Sequence, residues 1–230
     1  MINAPIPFEQ DAAFAQVDGR DYIQGVTILH RMLEATLPAG EAKGLDPDAG
    51  VAVKRIKFTR NTLCDGVIRG LLGADKGLEP AGAVAQLLGT LDGQALTAAY
   101  YPDEARPVSR QESSPPYPIH DFEPLEGYGG RWRFAEAGDG GVFLWALIEA
   151  NKRTIRTALG ERMARPRIEL VEASDFLYRR HGMMADGALM LETLSVREFG
   201  PRLYILNEAR YTDADGAARS LRLQYSANPA

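Results

Sequence analysis

Three side chains suited to proton transfer or carbonyl recognition stand in stretches with helical periodicity: His30, Glu149 and Asn151. An imidazole titrates near neutral pH, so His30 is a candidate general base or acid. A carboxylate such as Glu149 can take a proton or activate water, and the amide of Asn151 can hydrogen-bond a carbonyl. Each has a structural reading beside the chemical one. His30 can be a histidine satisfied at a helix edge. Glu149 and Arg153 have the spacing of a solvated i,i+4 pair, which contributes only a few tenths of a kcal/mol. Asn151 lies between Leu147 and Ile155 in angle, so its amide requires a partner, from a ligand or from the core.

The elements that carry these residues follow from periodicity. In DYIQGVTILHRMLEATL (Asp21 to Leu37), Val26, Leu29, Leu33 and Leu37 fall on one helical face, with Ile23 and Met32 at its edges. His30 stands on the edge of that face, Arg31 and Ala35 point away, and Pro38-Ala39-Gly40 is expected to end the helix. Val142 to Leu159 reads as a second helix with Leu144, Ile148, Ile155 and Leu159 on its apolar face, stopped by Gly160. Strands are expected at 51–63, 67–72, 83–90 and 95–101 in the first half. In the second half they are expected at 131–134, 167–173, 176–179, 188–197, 203–212 and 218–226. The Asp-Gly pairs at 92–93 and 215–216 mark hairpins.

The two halves repeat one plan. Gly25 and Gly141, each at a helix start, are 116 residues apart (141 − 25), and the hairpin aspartates Asp92 and Asp215 are 123 apart (215 − 92). This spacing points to duplication of a helix-plus-sheet unit. The reading divides the chain into a first half (1–102), a Pro/Ser-rich linker (103–130) and a second half (131–230). His120 falls in the linker and His181-Gly182 reads as an exposed turn.

Composition narrows the function classes. The chain has 230 residues, 45% hydrophobic and 25% charged, as in an ordinary globular protein. No apolar run reaches the roughly 20 residues that span a bilayer, and the N-terminus lacks the pattern of a signal peptide. One cysteine, Cys64, excludes an internal disulfide and suits a reducing cytoplasm. A net charge of −5 runs against nucleic-acid binding, and three scattered histidines give no metal-ligand spacing, so neither metal nor cofactor is expected. Between Lys152 and Arg167 six basic residues (Lys152, Arg153, Arg156, Arg162, Arg165, Arg167) accompany a single acidic one, Glu161. Such a cluster can dock an acidic carrier protein or a phosphopantetheine phosphate, or it can be a solvated helix end.

Three segments resemble the hot-dog fold family. Asp21-Tyr22-Ile23-Gln24-Gly25-Val26-Thr27-Ile28-Leu29 is similar to the approach to the central helix in β-hydroxyacyl-thioester dehydratases and A-factor-biosynthesis-type hot-dog domains. Ile56 to Gly66 is similar to their strand and turn, and LIEANKR (Leu147 to Arg153) resembles their Leu-Glu-Ala run. The chain departs from the pattern at three points. His30 stands where the helix carries its glutamate, Gln24 replaces the proline before the glycine, and QVDG (Gln16 to Gly19) holds no histidine.

The resemblance implies an α+β double hot-dog, two antiparallel sheets each wrapped around a central helix and joined edge to edge as a pseudo-dimer, so that the chain is a monomer or a homodimer. It implies a cytoplasmic protein that processes acyl thioesters on CoA or an acyl carrier protein in fatty-acid or polyketide-type biosynthesis. The activity would be that of a dehydratase (lyase) or isomerase with an altered catalytic dyad. The alternatives are a non-catalytic acyl-binding or scaffolding module and an acyl thioesterase. His30, Glu149 and Asn151 are the expected catalytic residues, and Tyr22, Gly25 and Arg153 the expected substrate contacts.

Overall fold

The computed structural model describes residues 4–17, 24–46, 48, 50–73, 78, 81–113, 118–135, 137–160, 166–185 and 187–228. The chain forms two units, residues 1–114 with 177–179, and residues 115–176 with 180–230.

In the first unit the helix α1 (Gly25–Ala42) lies against strands β1 (Ile6–Ala12), β3 (Val51–Phe58), β4 (Cys64–Leu72), β5 (Ala85–Leu91) and β6 (Gln94–Pro107). These strands are antiparallel in the order β1-β4-β6-β5-β3. Two short strands, β2 (Gln16–Val17) and β7 (Gln111–Glu112), pair in parallel. Val26, Leu29, Met32, Leu33 and Leu37 of α1 meet Val51, Ile56, Ile68, Leu72, Leu87 and Leu91 of the sheet, all at most 1% exposed. Truncating a leucine or methionine here would cost about 2–5 kcal/mol through lost burial and the cavity left behind.

Several expectations are corrected in this unit. Pro38 does not end α1, which continues one turn to Ala42. The proline ring is on the exposed side, while Leu37 and Ala39 are buried on either side of it, so packing outweighs the lost backbone donor. Ala35, expected to point away, is 2% exposed. Strand β1 was not anticipated. Its partner Gly70 explains how it seats: the Phe8 ring occupies the space a side chain at 70 would need. The hairpin between β5 and β6 turns through Asp92 (φ 46°) and Gly93 (φ 71°), two left-handed residues that match strand twist.

The second unit repeats the plan. Its elements are β8 (Ile119–Pro124), β9 (Gly130–Phe134), β10 (Ala137–Asp139), α2 (Gly140–Leu159), β11 (Arg167–Tyr178), β12 (His181–Met184), β13 (Gly187–Phe199), β14 (Arg202–Thr212) and β15 (Ala218–Asn228). The sheet runs β11-β15-β14-β13-β9-β8, antiparallel throughout, and β10 pairs with β12. Phe143, Leu144, Leu147, Ile148 and Ile155 of α2 are buried with Leu189, Leu191, Ile205, Leu221 and Leu223.

Residues 167–178, expected as two strands, form one. The apparent break at Ser174-Asp175 comes from Asp175, which takes a left-handed φ of 61° inside β11. His181-Gly182, expected as a turn, opens β12, with Gly182 at φ 68°. Within 103–130, expected as a linker, lie the end of β6, β7 and β8, and His120 is exposed on β8. No helix among the described residues is long and apolar enough to cross a membrane.

Candidate functional site

The α1 helix presents its polar groups as a stripe. At 100° per residue, Thr27, His30 and Glu34 (i, i+3, i+7) fall within about 60° of one another, beside the buried face formed by Val26, Leu29 and Leu33. The His30 and Glu34 side chains are 30% and 25% exposed, and His30 Nε2 is 4.0 Å from Glu34 Oε1. The carboxylate also accepts a 2.8 Å hydrogen bond from the hydroxyl of Tyr178, which is 1% exposed at the end of β11. The Tyr178 and His30 rings meet edge-on, centroids 6.3 Å apart. Thr27 Oγ1 is buried and has no hydrogen-bond partner among the described residues.

At the head of this stripe the helix start carries no side-chain cap among the described residues. Gln24 precedes α1 with extended backbone (φ −67°, ψ 138°), its side chain makes no capping bond, and the first turn contains no acidic residue. Gln24 is 3% exposed, and its Nε2 has no partner among the described residues. Gly25 begins the helix, so its N–H belongs to the group that lacks an acceptor within the helix. Backbone N–H groups and the helix dipole at such a terminus favour negative charge. A histidine held by a carboxylate near an electropositive helix start can take a proton from one atom and return it to another while an oxyanion is stabilised.

Of the other expected site residues, Glu149, Asn151 and Arg153 belong to the second unit. Tyr22 is outside the described residues, as are Arg162 and Arg165 of the basic cluster. Glu149 is on α2 and accepts a 2.9 Å hydrogen bond from Arg153 Nε, with side chains 13% and 43% exposed. Asn151 is fully buried and accepts a 2.9 Å hydrogen bond from Asn207 Nδ2 on β14. In the same core Thr154 accepts from Trp132 Nε1 (2.8 Å) and donates to the Ala150 carbonyl (2.8 Å). The hydroxyl of Tyr225 on β15 is buried, and its pKa is driven well above the ordinary range by burial and, secondarily, by the Glu149 charge. Lys152 is 3% exposed, and Arg167 pairs with Glu169. His30 and Gly25 thus share one helix in the first unit, and Glu149, Asn151 and Arg153 share the other in the second.

Thr27, Glu34 and Tyr178 escaped the sequence reading. The i, i+3, i+7 spacing of Thr27, His30 and Glu34 was available as a signal, whereas Tyr178 reaches α1 from 144 residues beyond Glu34. Among the described residues no group of three or more His, Cys, Asp or Glu side chains is placed to hold a metal ion.

No protein-family model matches the sequence, and no curated protein matches it. Solved structures do match in shape. The dehydratase domain of the polyketide PpsC from Mycobacterium tuberculosis superposes with a TM-score of 0.54 at 12% identity, covering 99% of this chain and 95% of that one. The chain has the double hot-dog fold. The same PpsC domain in complex with C12:1-CoA gives 0.53 at 13% identity, over 98% and 94% of the two chains. A Lactobacillus plantarum protein described as an oleoyl thioesterase gives 0.50 at 13% identity, over 99% and 98%. At these identities the likeness carries the α+β architecture, two antiparallel sheets each with its helix.

Proposed function

We propose that this chain processes acyl thioesters carried on CoA or an acyl carrier protein, with His30 as the acid–base group and dehydration of a hydroxyacyl chain as its reaction. The observation that carries this reading is His30 itself, partly exposed on a polar stripe beside the buried face of α1, with the Glu34 carboxylate 4.0 Å from its Nε2 and Tyr178 holding that carboxylate. Two fold neighbours give it context: a dehydratase domain solved with C12:1-CoA and a protein described as a thioesterase. In the proposed step neutral His30 takes the proton from the carbon next to the thioester carbonyl. The electron pair of that C–H bond forms the double bond, the C–O bond to the hydroxyl breaks, and the imidazolium protonates the departing hydroxyl as water. Glu34 stabilises the imidazolium between the two transfers, and the open start of α1 at Gly25 stabilises charge on the carbonyl oxygen.

The test is incubation with 3-hydroxyacyl, enoyl and saturated acyl thioesters, following water loss, hydration and free acid by mass spectrometry. General acid–base groups contribute typically about 10²–10⁴-fold, so His30→Ala should lower turnover by at least about a hundredfold while acyl binding persists. Free acid from every thioester would establish the second reading, hydrolysis by water activated at Glu34. Binding without turnover in the unaltered protein would make this a catalytically silent acyl-binding module.

A further inference from the structure

On the second unit's sheet the exposed guanidinium groups are matched by carboxylates. Arg210 reaches Glu192 and Glu208, and Arg222 reaches Glu208 and Asp175. Strand β3 of the first unit is different. Lys54, Arg55, Lys57 and Arg60 are all exposed, and none of them forms an ion pair or a side-chain hydrogen bond among the described residues. A bulge gathers them. Val53 and Ile56 are buried toward the core, and the register with β5 shifts between Val53 and Arg55. Lys54 and Arg55 therefore both stand outward, where strict alternation would send Arg55 inward, and Lys57 follows on the same face. From Lys54 to Arg60 the cations extend over about 20 Å.

The neighbouring strands do not neutralise this row. Opposite Arg55 and Lys57 stand Leu88 and Gln86 on β5, and beyond those Thr97 and Ala99 on β6. The β1 carboxylates Glu9 and Asp11, at the other end of the first unit's sheet, are paired with Arg69 and Arg106. Like charges set this close repel one another, so the row does not hold the fold together. The basic run from Lys152 to Arg167 is unlike it, because Lys152 is buried and Arg153 and Arg167 pair with Glu149 and Glu169. Small-molecule sites are concave and converge their polar groups. Exposed cations strung along one strand fit an extended acidic surface instead. With a net charge of −5 the chain as a whole repels an acidic protein, so such a partner needs a local basic landing place. The row also lies near the candidate site. Gly50, just before β3, packs against the backbone of Tyr178, whose hydroxyl holds Glu34 beside His30. Lys54 is four residues further, about 13 Å along the strand.

We infer that the outward face of β3, through Lys54, Arg55, Lys57 and Arg60, is the docking surface for an acidic acyl carrier protein, so that the acyl chain arrives on a protein and not on CoA. The inference rests on the reading of the chain as an acyl-thioester protein, and it chooses between the two carriers which that reading leaves open. The probes are an acidic holo acyl carrier protein, coenzyme A and a short DNA duplex. Each is titrated calorimetrically into the full chain at about 0.05 and about 0.3 M salt, a range over which exposed charges become strongly screened.

The carrier protein should bind more tightly than CoA or DNA and lose about tenfold in affinity between the two salt concentrations. Arg55→Glu should weaken carrier binding about fivefold, and adding Lys54→Glu and Lys57→Glu should bring the loss to about fiftyfold. Each variant is checked for an intact thermal transition, and Arg55→Gln with Lys57→Gln serves if charge reversal unfolds the chain. Turnover of acyl pantetheine, which has no carrier to dock, should be the same in all of them. Absent carrier binding, tighter binding of CoA or DNA, or equal carrier binding by every variant would overturn the inference. If acyl pantetheine were still turned over, the proposed function would stand. Carrier binding that depends on these residues, with no thioester turned over, would keep the docking surface and overturn the proposed reaction.

Discussion

The two helices begin differently. At α2 the Asp139 carboxylate accepts from the Val142 N–H (2.9 Å), and the Gly140 N–H donates to the Arg180 carbonyl (2.8 Å), so the terminus is closed by the protein's own groups. At α1 the equivalent position is Gln24, which makes no side-chain cap and buries an Nε2 with no hydrogen-bond partner among the described residues. Some carboxylates differ in the same way, although Asp65 of the first unit also accepts from the Phe14 N–H (2.7 Å). In the second unit Asp139 caps a helix, Glu149 pairs with Arg153, and Asp213 organises the β14–β15 turn, while in the first unit Glu34 faces a histidine. The first-unit hairpin needs no carboxylate, because Asp92 and Gly93 turn through backbone conformation alone. One copy of the repeated plan has committed its polar groups to holding itself together. The other also ties its strands with Asp65, Glu9 and Asp11, but leaves Gln24 Nε2 and Thr27 Oγ1 without a hydrogen-bond partner among the described residues, at a helix start and along one stripe.

The sharpest way to break this comparison is to neutralise one carboxylate in each helix. Glu34→Gln removes the charge beside His30. A charge-assisted contact is worth about 1.5 kcal/mol, equivalent to about tenfold in rate, so turnover should fall by about that factor and its pH profile should move. Glu149→Gln, which loses a surface-type pair, should change turnover by less than about twofold. A larger effect at Glu149 would transfer the chemistry to α2.

Asp213 sharpens the structural half of the comparison. It is 4% exposed, and its Oδ1 accepts from the Asp215 and Ala217 N–H groups (3.0 and 2.9 Å) while its Oδ2 accepts from Arg219 Nε (2.7 Å). Burial pushes this carboxyl upward, but Arg219 and the two turn N–H groups outweigh it and hold its pKa below the ordinary 3.8. A depressed carboxyl stabilises the fold fully above its unfolded value, and that stabilisation disappears as pH falls through the folded one. Asp213→Asn should therefore cost about 2 kcal/mol at neutral pH and flatten the loss of stability on acidification, read by denaturant titration across pH. A cost confined to low pH would contradict the assignment.

The smallest effect comes from giving α1 the cap that α2 has. Gln24→Asp should raise stability by about 1 kcal/mol and weaken acyl-thioester binding, because the new carboxylate would occupy the helix start. A gain in both would show that the open terminus has no ligand.

Much of the fold was legible because its signals are local. The Asp-Gly hairpins, the apolar faces of both helices and the long strands of the second half all read correctly from spacing. Local signals failed where a distant contact decides the outcome. Pro38 reads as a helix end until the burial of Leu37 and Ala39 is known, and β1 has no pattern of its own until Gly70 makes room for Phe8. Ser174-Asp175 reads as a gap because a left-handed residue inside a strand breaks the alternation. The site divides similarly. His30 was visible as a polar group on an apolar helix, and Asn151 as an amide that required a partner. Tyr178 and Asn207, which meet those helices from strands far along the chain, were not.

The seat of Phe8 on Gly70 has a consequence for how this sequence can drift. Any side chain at 70 would collide with the ring, and a smaller residue at 8 would leave a gap over the glycine. The two positions are therefore coupled in inheritance. Lineages that enlarge one should shrink the other, and a pair of changes that is harmful singly should be tolerated together.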